Sequence, residues 1–347
     1  MNEFDFIRKI KEQARLRGAA SDLLCGIGDD AAVFKAAAGS NIVISADLLI
    51  EDVDFRLDST TANLLGYKAL AVSLSDIAAM GARPRWAMLS LGLHNAIWDS
   101  GFADGFHEGF FQLADRYGIK LIGGDVSRAD KMVIDSIVIG ECPARLAVLR
   151  SGAQPGDQIY VTGFLGDAAA GLRLLERGAR LQAQVSPAPL SSSPLDQTSE
   201  AHPMDRLLLR QLKPEPRVGW GMLLGDQQLA TAMIDLSDGL SSDLNHLCSE
   251  SSVGALIDAS QIPIDPLVRD VCGRRALDPL MLALHGGEDF ELLFTVHAED
   301  VGKLPKRVDG VALTRIGEIT AASSGIQISE GARVWNLQPG GWEHFAR

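Results

Sequence analysis

Cysteine is scarce in this chain: four residues in 347, at Cys25, Cys142, Cys248 and Cys272, with no CxxC pair and no finger-like spacing. That excludes a disulfide framework or a zinc finger and fits reduced thiols serving as small core residues in a cytoplasm. No apolar run approaches the ~18 residues of a membrane span. The start, Met-Asn-Glu-Phe-Asp, lacks the basic flank and apolar centre of a signal peptide. Basic residues are short too, 32 Lys and Arg against 45 Asp and Glu, for a net charge of −13. This balance argues against a nucleic-acid partner held through phosphates. Two phosphate-binding signatures are missing: without GxxxxGK[ST] the chain is not a P-loop protein, and without GxGxxG a dinucleotide fold has no support. No Ser–His–acid set stands out, and His94, His107, His246 and His285 are isolated, so they read as surface or core residues.

What is present is an ordinary soluble composition, 46% hydrophobic and 22% charged, in a chain long enough for two domains with separate cores. The first is expected over 1–143 and the second over 144–347. Residues Ala183 to Pro203, rich in Ser, Pro and Ala and without periodicity, read as a solvated loop insertion. In the first half, Phe4–Arg17 reads as an amphipathic helix, Asn41–Asp47 as a buried strand with Asp47 at its exit, and Tyr67–Ala82 as a helix that Gly81 ends. Trp86–Leu93 alternates like a strand and Phe102–Tyr117 reads as a helix. Ile119–Asp125 is a strand leaving through two glycines and an acid, and Met132–Glu141 is a further strand. In the second half, Gln158–Thr162 and Leu292–Val296 read as strands, and Met233–Leu240 as a strand exit running into a helix. Leu-Ser-Asp recurs at 74–76 and 236–238, and Gly-Gly-acid at 123–125 and 286–288. These echoes are too short to establish a duplication.

The chemistry rests on carboxylates. Asp76 lies on a nearly apolar helix face with no Lys or Arg at helical spacing, so a cation or a set of backbone donors from elsewhere must meet it. An acid just where a strand ends recurs at Asp47, at Asp125, at Asp235 with Asp238, and at Glu288, while Asp29 and Asp30 sit in a glycine turn. Any one of them alone reads equally as a turn former or helix cap. If they gather, close carboxylate pairs repel by ~4 kcal/mol at an effective dielectric of about 20, and only cations hold them together. Oxygen ligands without cysteine favour Mg²⁺ or Mn²⁺ over Zn²⁺. Glycines beside acids let a phosphate approach backbone N–H groups.

Taken together, the blocks Gly26-Ile-Gly-Asp-Asp-Ala-Ala, Ile44-Ser-Ala-Asp47, Tyr67–Ala82, Leu121–Asp125, Arg150-Ser-Gly-Ala, Tyr160-Val-Thr-Gly, Ile234–Leu240, Gly286–Leu292 and Gly341–Phe345 resemble the thiamine-monophosphate kinase family. That family belongs to the ATP-using superfamily of aminoimidazole ribonucleotide synthetase. The resemblance implies an α+β, two-domain fold of mixed and antiparallel sheets covered by helices. It implies a homodimer built through the first domains, and direct, Mg²⁺-assisted transfer of the ATP γ-phosphoryl group to thiamine monophosphate. By position it implies a magnesium set of Asp30, Ser45, the backbone of Ala46, Asp47, Asp76, Asp125, Asp235 and Asp238. Of these, Asp76, Asp125 and Asp235 are the ones expected to carry turnover. Tyr117, Gly124, Asp125, Arg150 and Ser237 are implied ATP contacts, and Asp54, Glu288 and Trp342 substrate contacts. The chain departs from the family at Ala46-Asp47-Leu48 and at Asp54, where the family usually reads Thr-Asp-Thr and His. Asp54 adds negative charge near a phosphate.

Overall fold

The computed structural model describes residues 3–17, 23–25, 33–34, 36–144, 146–181, 203–275 and 277–342. The described chain divides into two compact units, one of residues 1–77 with 82–145 and one of 78–81 with 146–347. In the first, β1 (Leu23–Cys25) and β2 (Val33–Phe34) form an antiparallel pair. A four-stranded sheet follows, from β3 (Ser40–Ile50), β4 (Arg83–Leu93), β5 (Lys120–Arg128) and β6 (Val133–Pro143), in the order β3-β6-β4-β5. Only β4 and β5 run parallel, as a connection through the helix Phe102–Tyr117 requires.

The helix Ala62–Ala79 is apolar nearly all round and buried along most of its length, as such a helix must be. It meets Phe102–Tyr117 backbone to backbone: a Cβ on Gly66 would lie 1.8 Å from Phe106 O, and one on Gly109 1.8 Å from Asn63 O. Gly81 ends the helix in the left-handed region (φ +66°), with Ala82 N donating to Ile77 O. Ser73 Oγ donates to Ser136 O, which seats this helix on the sheet face of Ser45, Asp47 and Ser136. The opposite face carries Trp86, Ile122 and Ile139, buried, beside Ile42, Met88 and Ile137. On that face of β3, Ile44 is 64% and Leu48 55% exposed.

The second unit is an eight-stranded sheet of β7 (Gln158–Thr162), β8 (Ala232–Asp235), β9 (Gly254–Asp258), β10 (Leu292–Val296), β11 (Arg307–Val308), β12 (Val311–Thr320), β13 (Ile326–Glu330) and β14 (Arg333–Asn336). The order is β14-β13-β9-β12-β7-β10-β8, with β11 on β12, and every pair is antiparallel except β13 with β9. Strand β10, Leu-Leu-Phe-Thr-Val, is buried at every position and therefore apolar except for Thr295, whose hydroxyl pairs with that of Thr231. Its Phe294 stacks on Tyr160 and lies against Trp220. Cys142, Cys248 and Cys272 are free and buried, in keeping with the core role expected of them.

The structure departs from two sequence expectations and leaves the short echoes without a shared structure. Asp47 and Asp125 are not at strand exits: β3 stays paired with β6 from Ser40 to Ile50, and β5 with β4 as far as Arg128. Paired backbone therefore carries both chains past their acids, and the Gly-Gly-Asp of β5 is strand, not turn. The Leu-Ser-Asp echo is helix at 74–76 and turn at 236–238, so it has no structural counterpart. Residues 183–202 of the expected loop lie outside the described residues, and its last one, Pro203, opens the helix Pro203–Leu212, where its fixed φ suits a first helical position.

Candidate functional site

In the first unit, β3 and the helix Ala62–Ala79 bring Ser45, Asp47, Ser73 and Asp76 together. Ser45 Oγ donates to Asp76 Oδ2. The Ser45 and Ser73 hydroxyls, bonded to Asp76 and to Ser136 O, also reach the Asp47 carboxylate and hold its pKa down in part. Asp47 Oδ2 is buried and has no hydrogen-bond partner. Burial first, and then the facing Asp76, push the Asp47 carboxyl up to about 6. A buried, unpartnered carboxylate oxygen beside a second carboxylate is the environment a hard divalent cation relieves, and the donor set, all oxygen, fits Mg²⁺. Among the described residues no group of three or more Asp, Glu, His or Cys side chains is close enough to enclose a metal. Asp30 lies outside the described residues.

The remaining expected residues of this unit fall elsewhere. Asp47 shares a register row with Ser136, Leu89 and Gly124, whereas Asp125 shares the next row with Ser90, Asp135 and Leu48. Strand alternation therefore puts Asp125 on the other face of the sheet from Asp47, and it is exposed. Gly124 has a packing reason to be glycine, since at φ +150° its Cβ would lie 1.9 Å from Leu89 O. The backbone of Ala46 lies between Ser45 and Asp47 in β3. Tyr117 closes its helix, half-buried. Asp54 accepts from Ile50 N at 2.8 Å and closes the turn after β3, which is what an acid can do there and a histidine does less well. Arg56 pairs with Asp58, not with Asp54.

In the second unit the structure does bring the expected residues together. Asp235 ends β8, buried, and the chain turns through Ser237 and Asp238 into the helix Leu240–Ser251. The segment 286–291 lies along that turn: Glu288 N donates to Ser237 O at 2.8 Å and Phe290 N to Leu236 O at 2.9 Å. A Cβ on Gly287 would be 2.5 Å from Ser237 O, so the two turns interlock only because that residue is glycine. Trp342 N donates to Asp238 O at 3.2 Å, while the ring is 57% exposed. Arg150 is exposed, and its charge reaches Asp243.

Sequence reading missed the groups that hold this arrangement. Asp243 accepts from Asp238 N and Gly239 N at 3.2 and 3.0 Å, yet burial and the neighbouring Asp238 push its carboxyl up to about 7. His285 Nδ1 pairs with Ser241 Oγ at 2.8 Å. Asp289 is half-buried and accepts from Gly166 N and Ala168 N at 2.7 and 3.1 Å; loss of water around its carboxyl pushes its pKa well up. Glu291, 1% exposed, receives Thr162 Oγ1 at 2.6 Å and both Nε and Nη2 of Arg217. The signals available were the i, i+5 acid after Asp238 and the two acids flanking Phe290, and neither spacing is distinctive. A separate cleft of about 540 Å³ beside Asn245, Ser249, Ser324 and Asn336 has no charged lining, which makes it a poor seat for a polyphosphate.

The architecture of both units is that of the AIR synthase related proteins, whose N-terminal domain matches residues 28–142 and C-terminal domain residues 154–328. Within that class the chain belongs to the thiamine-monophosphate kinase family. It is 40% identical to the thiamine-monophosphate kinase of Escherichia coli (strain K12) over 99% of this chain and 98% of that one. The crystal structure of thiamine-monophosphate kinase from Stenotrophomonas maltophilia K279a superimposes with a TM-score of 0.78 at 39% identity, covering 92% of this chain and 95% of that one. The structure of AaThiL complexed with AMPPCP and TMP superimposes with a TM-score of 0.74 at 29% identity, covering 99% and 97%.

Proposed function

We propose that this chain transfers the terminal phosphoryl group of ATP to the phosphate of thiamine monophosphate, giving thiamine diphosphate and ADP. The observation that carries this is the end-to-end similarity to AaThiL, a protein solved with both an ATP analogue and TMP bound. The acceptor is a phosphate oxygen already ionised at neutral pH, so no general base is needed. The transition state is loose, and catalysis rests on position and charge rather than on covalent help from a side chain. Transfer is direct and in line, with no phosphoenzyme.

Asp47 and Asp76, with Ser45 and the Ala46 carbonyl, would hold one Mg²⁺, and Asp125, on the other face of that sheet, Asp30, Asp235 and Asp238 are assigned to further Mg²⁺ ions. When bound, the ion supplies charge neutralisation for polyphosphate on a chain of net charge −13. Asp76, fixed on a buried helix, orients rather than reacts. Gly124, Asp125, Tyr117, Arg150 and Ser237 attend ATP. Glu288 and the exposed Trp342 hold the thiamine moiety, while Asp54 is assigned to the substrate side with its carboxylate already serving its own turn. We place a second copy of the chain on the exposed Ile44 and Leu48 of β3, apolar surface that water leaves unsatisfied. Light scattering on the eluting protein would report twice the chain mass for such a homodimer, and the chain mass alone would remove it.

The deciding assay incubates the purified chain with ATP, Mg²⁺ and thiamine monophosphate and separates the products. Thiamine diphosphate and ADP in equal amounts are expected. Inorganic phosphate without thiamine diphosphate would make the chain a phosphohydrolase instead.

A further inference from the structure

The segment that follows residue 202 supplies four side chains to the acids around the 286–291 turn. Arg206 Nη2 meets Asp265 at 3.1 Å, Arg210 Nε meets Asp167 at 3.4 Å, and Arg217 grips Glu291. The fourth is Gln211, 5% exposed, whose Nε2 donates to Glu288 Oε2. Asp289 and Glu291 are held by hydrogen bonds to Gly166 N, Ala168 N, Thr162 and Arg217, and Glu288 has its backbone in the left-handed region, at φ +65°. That conformation is unfavourable for a non-glycine residue and persists only where the surroundings impose it. Here Glu288 N is tied to Ser237 O, and the two acids that follow it, Asp289 and Glu291, are held by their own hydrogen bonds. The backbone therefore fixes where the Glu288 side chain starts, and Gln211 fixes where its carboxylate ends.

We propose that Gln211 is a positioning residue for the acceptor substrate, holding one oxygen of Glu288 so that the carboxylate meets the thiamine moiety in a single orientation. This rests on the assignment of Glu288 to the substrate. An amide presents its donor along a fixed direction on a buried helix, and it does so without changing the net charge of the contact. A lost hydrogen bond to a charged group weakens ground-state binding by about tenfold or more, and the loss should fall on the substrate that Glu288 touches and not on ATP.

The test is steady-state kinetics with each substrate varied in turn. Gln211→Met, of matching length and without a donor, is expected to raise KM for thiamine monophosphate about tenfold, with KM for ATP and kcat within about twofold. Gln211→His, which restores an N–H donor, should return KM to within about threefold of the parent. If the methionine variant does not fold, Gln211→Asn replaces it, since it keeps the amide but draws it back by one methylene. Glu288→Gln is run alongside. If it leaves KM for thiamine monophosphate unchanged, the assignment of Glu288 fails. If it raises that KM while the Gln211 variants do not, the Gln211 proposal alone is overturned. A parallel loss in both KM values and kcat across the Gln211 variants would reduce the residue to a packing role and also overturn it.

Discussion

The pair Arg217–Glu291 should be the most sensitive single contact in the second unit. Both side chains are out of water, Glu291 1% and Arg217 7% exposed, and the guanidinium spans both carboxylate oxygens. Arg217→Met removes the cation and leaves Glu291 with one neutral donor, Thr162 Oγ1 at 2.6 Å. Breaking a buried pair from one side costs about 3–5 kcal/mol, because the remaining charge has no compensation. For a unit of this size that corresponds to a fall in melting temperature of about 6–20 °C. The surroundings give Glu291 no room to move, since a Cβ on Gly163 would already lie 2.1 Å from its Oε1. The assay is a double-mutant cycle, Arg217→Met, Glu291→Gln and both together, read by fluorescence of Trp220, which is buried beside Phe294. The double variant should recover most of the loss, because replacing both charges removes the desolvation cost with the attraction. A single-variant cost below about 1 kcal/mol, or a double variant as unstable as Arg217→Met, would refute the reasoning.

Three further outcomes are expected. Asp76→Asn should keep the Ser45 hydrogen bond and the fold while lowering kcat at least about 100-fold; near-normal turnover would remove Asp76 from the catalytic machinery. Asp167, buried against Arg210, has its carboxyl pushed up to about 6 by burial, whereas an unfolded Asp titrates near 3.9. Between pH ~4 and ~6 the folded state thus holds a proton the unfolded state has released, so stability falls as pH rises, by about 3 kcal/mol from this group. Asp167→Asn should lose that slope, and a variant-minus-parent difference that stays constant from pH 4 to 8 would contradict it. Finally, Mg²⁺ without nucleotide should raise the melting temperature, by ~1.4 kcal/mol at ten times its dissociation constant, and Asp47→Asn should abolish the rise; identical melting in Mg²⁺ and in chelator would count against Asp47 as a ligand.

Local pattern was legible in the sequence wherever one period dominated. Phe102–Tyr117, Gln158–Thr162 and Leu292–Val296 have the bounds that their amphipathic or largely apolar runs imply. Chain ends of strands were not legible, because pairing decides them. Asp47 and Asp125 look like strand exits, yet eleven residues of β3 find partners on β6 and carry the strand past Asp47. The glycines misled for a related reason. Gly124 and Gly287 sit beside acids as phosphate loops do, but Leu89 O and Ser237 O approach them closely enough to demand glycine. Nothing short-range marked Gln211 or Arg217, whose partners are 77 and 74 residues away. Asp76 was legible because its problem is local: no cation within a turn.

The carboxylates divide by how their charge is met, and the division separates folding from chemistry. Glu291 has three donors, Asp289 two backbone N–H groups and Asp243 two more. Glu291 and Asp243 are buried and Asp289 half-buried, but each is answered by protein, so replacing one should act mainly on stability. Asp47 is different: its Oδ2 is buried with no hydrogen-bond partner and it faces Asp76, and the Ser45 and Ser73 hydroxyls beside it offset only part of that penalty. A fold optimised for stability alone would place an amide there, which would relieve the repulsion at no cost in volume. Keeping two acids is reasonable only if something outside the chain completes them, and oxygen donors of this kind are completed by a small divalent cation. The expected signature is therefore opposite in sign at the two places. Removing charge at Glu291 should destabilise, whereas removing charge at Asp47 or Asp76 should leave stability unchanged or improved while activity falls, the trade that a strained site makes with function.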